Sequence, residues 1–137
     1  MSAEMYREQI IDLYQNPLNH GEVDPHTFKY EEDNPLCGDV VEISVLMGDD
    51  GRVADIAWQG DGCAISQASA SLLTEEVKGM TLDEVKNFDK QELLDLIGVP
   101  LSMARVKCAL LSLKVLKAGA YGIPEKTEMR KLSLIHI

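Results

Sequence analysis

The spacing of hydrophobic residues changes along this chain from helical to alternating and back to helical, and this order limits the folds it can adopt. Between residues 41 and 47 apolar side chains occupy every second position, which predicts a β-strand. A Gly/Asp turn at 48–51 leads into a second predicted strand, Val53 to Trp58, so the two form an antiparallel hairpin. Residues 60–62 break this pattern, and helical spacing follows.

Amphipathic helices are predicted in the rest of the chain. They cover residues 5–14, 64–77, two short segments that begin after Thr81 and Asp89, and 102–120. The segments 81–84 and 89–92 have capping-box spacing, and Gly79 and Gly98 can end the helices before them. With a short edge strand at 28–30, the order predicts an α+β domain: a small three-stranded antiparallel sheet with helices packed on one face and a long C-terminal helix.

Length and charge narrow the classes of protein. A chain of 137 residues is expected to form one domain, here 1–121, followed by a C-terminal tail at 122–137. Within it, the run Leu132 to Ile137 is either floppy or a cloning remnant. The formal net charge of -10 argues against nucleic acid as a partner. No apolar run approaches the roughly 18 residues of a membrane span, and the N terminus has no signal-peptide pattern. The odd cysteine count then fits a reducing, cytoplasmic location.

All the cysteine in the chain is at Cys37, Cys63 and Cys108, which are far apart in sequence. They form no local Cys-x-x-Cys clip, so a joint site would have to be assembled by the fold. Asp39 follows Cys37 by two residues and can add an oxygen ligand, with Gly38 allowing a tight loop between them. Three sulfurs and one oxygen suit a thiophilic centre, either zinc or an iron–sulfur cluster.

The surroundings of these cysteines favour thiolates. Cys63 is predicted at a helix N-terminus, where the partial positive charge stabilises the anion. Arg105 and Lys107 can lower the pKa of Cys108 if they point toward it, although Lys107 is equally consistent with a solvated charge or a contact to a partner.

Ordinary structural roles compete with these assignments. A lone cysteine is most often a small buried hydrophobic residue, but three of them beside Gly, Asp or Lys favour a shared site. Asp39 after a glycine also fits an ordinary turn. His20 and His26 lie in a loop-like region and are not expected to bind metal, and Trp58 is expected in the core.

Four stretches carry a resemblance to a known family. They are Asn16-Pro17-Leu18-Asn19-His20-Gly21, Cys37-Gly38-Asp39, residues 62–71 and Arg105-Val106-Lys107-Cys108. Over residues 4–121 the chain resembles the IscU/SufU/NifU N-terminal type of iron–sulfur cluster assembly scaffold. The resemblance implies cysteines gathered at one tip of the fold and a scaffold, not an enzyme, that accepts sulfur from a cysteine desulfurase. It also implies transfer of a cluster, [2Fe–2S] first among the candidates, to apo proteins. Within that role, Cys108 or Cys37 is the expected first sulfur acceptor and Cys63 the anchor, because exchange favours a thiolate whose pKa is near the ambient pH.

The chain departs from each branch of that family. IscU has a His before its last cysteine and a Leu-Pro-Pro-Val-Lys chaperone motif, whereas this chain has Lys107 and reads Leu-Ser-Met-Ala-Arg-Val-Lys at 101–107. Its motifs are similar to SufU, yet the interval from Cys63 to Cys108 is too short for the SufU insertion. Two alternatives stay open: a zinc-dependent SufU-like sulfur relay that activates a desulfurase, and an interaction module with a structural zinc. The oligomeric state, including a homo-oligomer, is also open.

Overall fold

The computed structural model describes residues 3–34 and 38–122. Cys37 and the predicted tail beyond residue 122 lie outside these ranges. The elements, in chain order, are α1 (Ala3–Gln15), β1 (Phe28–Asn34), β2 (Asp39–Met47), β3 (Val53–Asp61), α2 (Ala64–Glu76), α3 (Leu82–Lys86), α4 (Lys90–Ile97) and α5 (Met103–Tyr121).

The three strands form one antiparallel sheet in the order β1-β2-β3. Its register pairs Asn34 with Asp39, and Val40 with Asp61. The end of β1, the start of β2 and the end of β3 therefore lie side by side. Because α2 begins shortly after β3 ends, the N-terminus of this helix lies at the same end of the sheet as the start of β2.

All three strands are longer than the sequence predicts, and β2 begins at Asp39, two residues before the predicted start. The edge strand β1 runs to Asn34, because pairing with β2 outweighs the poor strand propensity of its acidic residues. β3 continues to Asp61, so the break predicted at 60–62 comes too early. Gly60 has φ 155° and its Cα lies so close to the Val40 carbonyl that a side chain there would collide with it. Gly60, which the sequence suggests as a strand breaker, instead permits close pairing of β3 with β2.

The core lies between the sheet and the helices. Val41, Ile43 and Val45 of β2 are almost fully buried, and Trp58 of β3 is buried as predicted. The helix α5 packs against β1 and β2, while α2 packs against β3 and against α1, α4 and α5. The predicted α+β architecture, with a three-stranded antiparallel sheet and a long C-terminal helix, is confirmed.

The short helices begin with local caps. Thr81 accepts a hydrogen bond from the Glu84 N–H, and the Glu84 carboxylate accepts one from the Thr81 N–H, so the predicted capping box is present. Asp89 caps α4 through the N–H of Gln91, which corrects the capping box predicted for residues 89–92. Gly98 ends α4 in the left-handed conformation, as predicted.

The bounds of the two long helices differ slightly from expectation. α2 ends at Glu76 with Val77 as its C-cap, and Gly79, at φ 81°, lies in the turn beyond the helix. The Gly79 N–H there donates to the carbonyl of Val53, which joins the turn to β3. α5 begins after Ser102, whose side chain accepts from the N–H of Arg105. Within residues 3–34 and 38–122, no helix has the length and apolarity to cross a membrane.

Candidate metal centre

Asp39 is the first residue of β2 and its side chain points toward the N-terminus of α2. The residue is only 1% exposed. Its Oδ1 accepts a hydrogen bond of 3.0 Å from the backbone N–H of Cys63, and its Oδ2 lies 3.9 Å from the Cys63 sulfur. Asp39 is therefore a buried carboxylate engaged with the N-terminus of α2 and not an exposed turn residue.

Cys63 occupies the N-cap position of α2. Its backbone is extended, with φ −72° and ψ 167°, and its side chain makes no cap hydrogen bond to the helix. The residue is half-buried. The Cys63 sulfur is therefore not engaged by the end of its own helix.

Cys108 lies near the start of α5 and is 3% exposed. Its Sγ is 3.5 Å from the carbonyl oxygen of Ala104. α5 approaches α2 closely at this level, since the Ser69 hydroxyl donates to the Ala109 carbonyl and lies 3.3 Å from the Ser112 hydroxyl. The packing of α2 on α5 thus brings Cys108 toward Cys63.

Ligand atoms of Asp39, Cys63 and Cys108 all lie within 4.8 Å of one another. Around a tetrahedral zinc ion, two thiolate sulfurs would be about 3.8 Å apart. Cys108 is disulfide-bonded in the structure, so shared coordination would need its reduction to a thiolate as well as a contraction of the group. Two soft sulfurs and one hard carboxylate oxygen suit zinc or the iron of a cluster. Cys37, the fourth predicted ligand, lies outside the described residues.

Arg105 and Lys107 border two different grooves. Arg105 lines a groove of about 470 Å³ with Cys63, and Lys107 lines one of about 320 Å³ with Asn34 and Lys114. Both side chains are exposed. The two cations therefore border separate surfaces near the start of α5, since positions two apart on a helix differ by roughly 200°.

The histidines have other contacts. The ring of His20 packs edge-on against Trp58, with centroids 4.9 Å apart, and the Trp58 indole N–H donates to the Leu18 carbonyl. Nδ1 of His26 lies 3.2 Å from the Val23 carbonyl. Neither histidine belongs to the Asp39, Cys63 and Cys108 group.

Three residues near the site were not assigned a role from the sequence. Gly62 lies against the Asp39 carboxylate, and the Gln67 side-chain amide donates to the Gly62 carbonyl at 3.0 Å. Arg7, on α1, lines the groove beside Cys63. The Gly-Cys pair was a visible signal for Gly62, whereas nothing in the local sequence placed Arg7 near Cys63.

Comparison with known proteins identifies the family of this chain. The model of the NifU-like N terminal domain family matches residues 5–130, and the chain belongs to this family. The N-terminal part of a NifU-like protein from Brucella abortus has a similar structure, with a TM-score of 0.71 at 25% identity; the match covers 91% of this chain and 99% of that one.

Relatives from both branches are similar to this chain. The iron–sulfur cluster assembly scaffold protein IscU of Escherichia coli is 34% identical over 136 residues, covering 91% of this chain and 98% of the relative. The zinc-dependent sulfurtransferase SufU of Bacillus subtilis is 34% identical over 132 residues, covering 84% and 88%. Sequence identity therefore does not assign this chain to either branch.

Proposed function

We propose that this protein is a scaffold on which iron–sulfur clusters are assembled and from which they pass to apo proteins. The observation that carries the proposal is the convergence of Asp39, Cys63 and Cys108 in a member of the NifU-like family. The E. coli relative is named as such a scaffold. We propose [2Fe–2S] as the cluster type, and the protein needs no catalytic turnover of its own for this role.

The proposed ligand set is Cys37, Asp39, Cys63 and Cys108. A carboxylate oxygen is a poorer match than sulfur for the iron of a cluster, so the Asp39 bond should exchange most easily. In the structure, that carboxylate already has an alternative partner in the Cys63 N–H. A scaffold must release what it holds, and an oxygen that moves between a metal and an amide gives the site an exchangeable ligand.

Sulfur would arrive by exchange with a persulfide on the desulfurase. A thiolate of the scaffold attacks the outer sulfur, a new S–S bond forms, and the desulfurase cysteine leaves as a thiolate. We propose Cys37 or Cys108 as the acceptor and Cys63 as the anchor, because the backbone of Cys63 is tied to Asp39. Cys108 is 3% exposed, so acceptance there requires the site to open.

The groove beside Cys63 is the surface on which we expect the desulfurase to dock. Its floor is apolar, and Arg7 and Arg105 line it; neither guanidinium forms an ion pair with a residue in the described ranges. In a chain of formal charge -10 these two cations form a local basic patch. We therefore expect the docking segment of the partner to carry apolar and acidic side chains.

The remaining assignments follow from the proposed role. We propose that residues 1–121 form the functional domain, that 122–137 are a tail, and that the protein works in the cytoplasm, where thiols stay reduced. A second function, zinc-dependent sulfur relay, is favoured by the similarity to the B. subtilis zinc-dependent sulfurtransferase. In that case the same four residues would bind zinc, and no cluster would be built.

Metal content separates the two functions. Protein purified with and without oxygen exclusion is analysed for zinc and iron, then reconstituted anaerobically with iron and sulfide. A scaffold should acquire the visible absorbance of a bound cluster, and Ser at Cys37, Cys63 or Cys108 should each reduce it. A relay protein should retain one zinc per chain and stimulate a desulfurase without acquiring a cluster. Full cluster absorbance in all three variants would contradict the shared site.

A further inference from the structure

The missing side chain at Gly62 is what makes room for the carboxylate of Asp39. A Cβ atom built on Gly62 would lie 2.5 Å from Oδ1 of Asp39, 2.8 Å from its Cγ and 3.1 Å from its Cβ. The two nearest of these distances are below those that real Cβ atoms show. The Asp39 carboxylate therefore could not keep its observed position if residue 62 were alanine.

Backbone freedom is not the reason for this glycine. Gly38 and Gly51 have positive φ angles of 71° and 77°, where side chains are strained, whereas Gly62 is not among the glycines with positive φ. An L-residue could adopt its backbone conformation. The constraint on Gly62 is instead the space that Asp39 occupies.

The loop around Gly62 has little freedom to move aside. The Gly62 carbonyl accepts a hydrogen bond from the Gln67 side chain at 3.0 Å, and the next residue, Cys63, begins α2. On the other side, Asp39 is the first residue of β2 and pairs with Asn34 of β1. Because both backbones are fixed, the collision would be relieved by rotating the carboxylate away.

We infer that Gly62 is a positioning residue that holds the Asp39 carboxylate against the Cys63 amide and within reach of the metal centre. The inference rests on the proposed function for its metal-binding consequence, but its structural part does not depend on a metal. Replacing Gly62 by Ala should release the hydrogen bond from Cys63 and withdraw the oxygen ligand, while the sulfurs stay in place.

The first measurement uses the metal-free full chain. In Gly62→Ala, amide hydrogen exchange at Cys63, followed by NMR, should accelerate about tenfold or more, because a hydrogen bond to a carboxylate is lost. Asp39→Ala should give the same acceleration. Gly122→Ala is the matched control, since Gly122 has φ −72° and a Cβ there would make only ordinary contacts at 3.4 Å and beyond.

The second measurement is competition for zinc between the protein and a chelator. Gly62→Ala should weaken zinc binding about 10- to 100-fold, the range for residues that orient a metal ligand, and Asp39→Ala, which removes the proposed ligand itself, should weaken it at least as much. The double variant should be no weaker than Asp39→Ala alone, because the two changes remove the same interaction. Gly122→Ala should bind zinc like the wild type.

The outcomes separate this inference from the proposed function. Unchanged Cys63 exchange in Gly62→Ala, or a further loss of zinc in the double variant, would overturn the role of Gly62. If Gly62→Ala fails to fold, folding of the double variant supports the collision with Asp39, and failure of both overturns it. A wild type that binds neither zinc nor a cluster refutes the proposed function, and the exchange data still decide the role of Gly62.

Discussion

The backbone N–H groups of the N-cap residues of α2 and α3 find their acceptors in different parts of the chain. In both helices the N–H of the N-cap residue donates to a carboxylate at 3.0 Å. For α3 that carboxylate belongs to Glu84, three residues after the N-cap Thr81. For α2 it belongs to Asp39, which reaches the N-cap Cys63 from the start of a distant strand.

The difference shows what the site requires of the fold. Thr81 also caps α3 with its own hydroxyl, at 3.2 Å from the Glu84 nitrogen. The Cys63 side chain makes no such bond to α2, so its sulfur remains directed to other partners. The carboxylate from β2 supports the helix end and lies next to the sulfurs at the same time. The N-terminus of α2, whose N-cap side chain makes no hydrogen bond to the helix, thus lies at the proposed metal centre.

The largest expected effect comes from replacing Cys63, which is both a proposed ligand and a poor N-cap residue. Cys63→Ser should weaken zinc or cluster binding by at least about 100-fold, because a thiolate ligand is replaced by a hydroxyl that binds soft metals poorly. Yet it should stabilise the metal-free protein by about 1 kcal/mol, because serine is a good N-cap and the backbone already has the required extended conformation. Chelator competition and urea unfolding measure the two effects.

Cys108→Ser provides the matched control for that prediction. It removes a proposed ligand from the interior of the first turns of α5, where no helix N-cap can be gained. Metal binding should fall, without the gain in stability. Equal stabilisation by both substitutions would mean that the N-cap of α2 is not the cause.

The next effect is confined to α3. Thr81→Ala removes the hydroxyl half of the capping box and should lower the free energy of unfolding by about 1 kcal/mol in urea denaturation. Zinc binding should not change, because Thr81 belongs to a cap made within its own helix. Reduced zinc affinity in this variant would instead show that the N-termini of α2 and α3 are coupled.

The smallest effect concerns the acid dependence of the same cap. The pKa of Glu84 is lowered from its usual 4.5, first by the hydrogen bond from the Thr81 backbone, then by that with the Thr81 side chain, and further by Arg52. Its charge therefore contributes stability above pH 4.5, and the contribution is lost as pH falls through the lowered pKa.

Glu84→Gln keeps an acceptor for the Thr81 N–H but removes this charge. The wild type should exceed the variant slightly in unfolding free energy at pH 7, and the difference should shrink as the pH falls below about 4.5. Urea titrations of both proteins at matched pH values measure it. A difference that does not vary with pH would rule out the Glu84 charge as its source.

Local signals in the sequence predicted much of the architecture. The alternation at residues 41–47, the capping box at Thr81 and the left-handed Gly98 all act within a few residues, and each is found in the structure. The errors occur where tertiary contacts override local preference. Acidic β1 is longer than its composition suggests, and Gly60 permits pairing instead of ending β3.

For the site, the chain by itself determined the residue types: three cysteines, and an aspartate two positions after the first. Tertiary structure alone decided that Asp39, Cys63 and Cys108 meet, because their approach depends on sheet register and on the packing of α2 against α5. It also decided that Asp39 caps a helix 24 residues away and that Gly62 must leave it space. Hydrogen bonds and steric exclusion act over a few ångströms, so partners distant in sequence become identifiable only when the fold places them in contact.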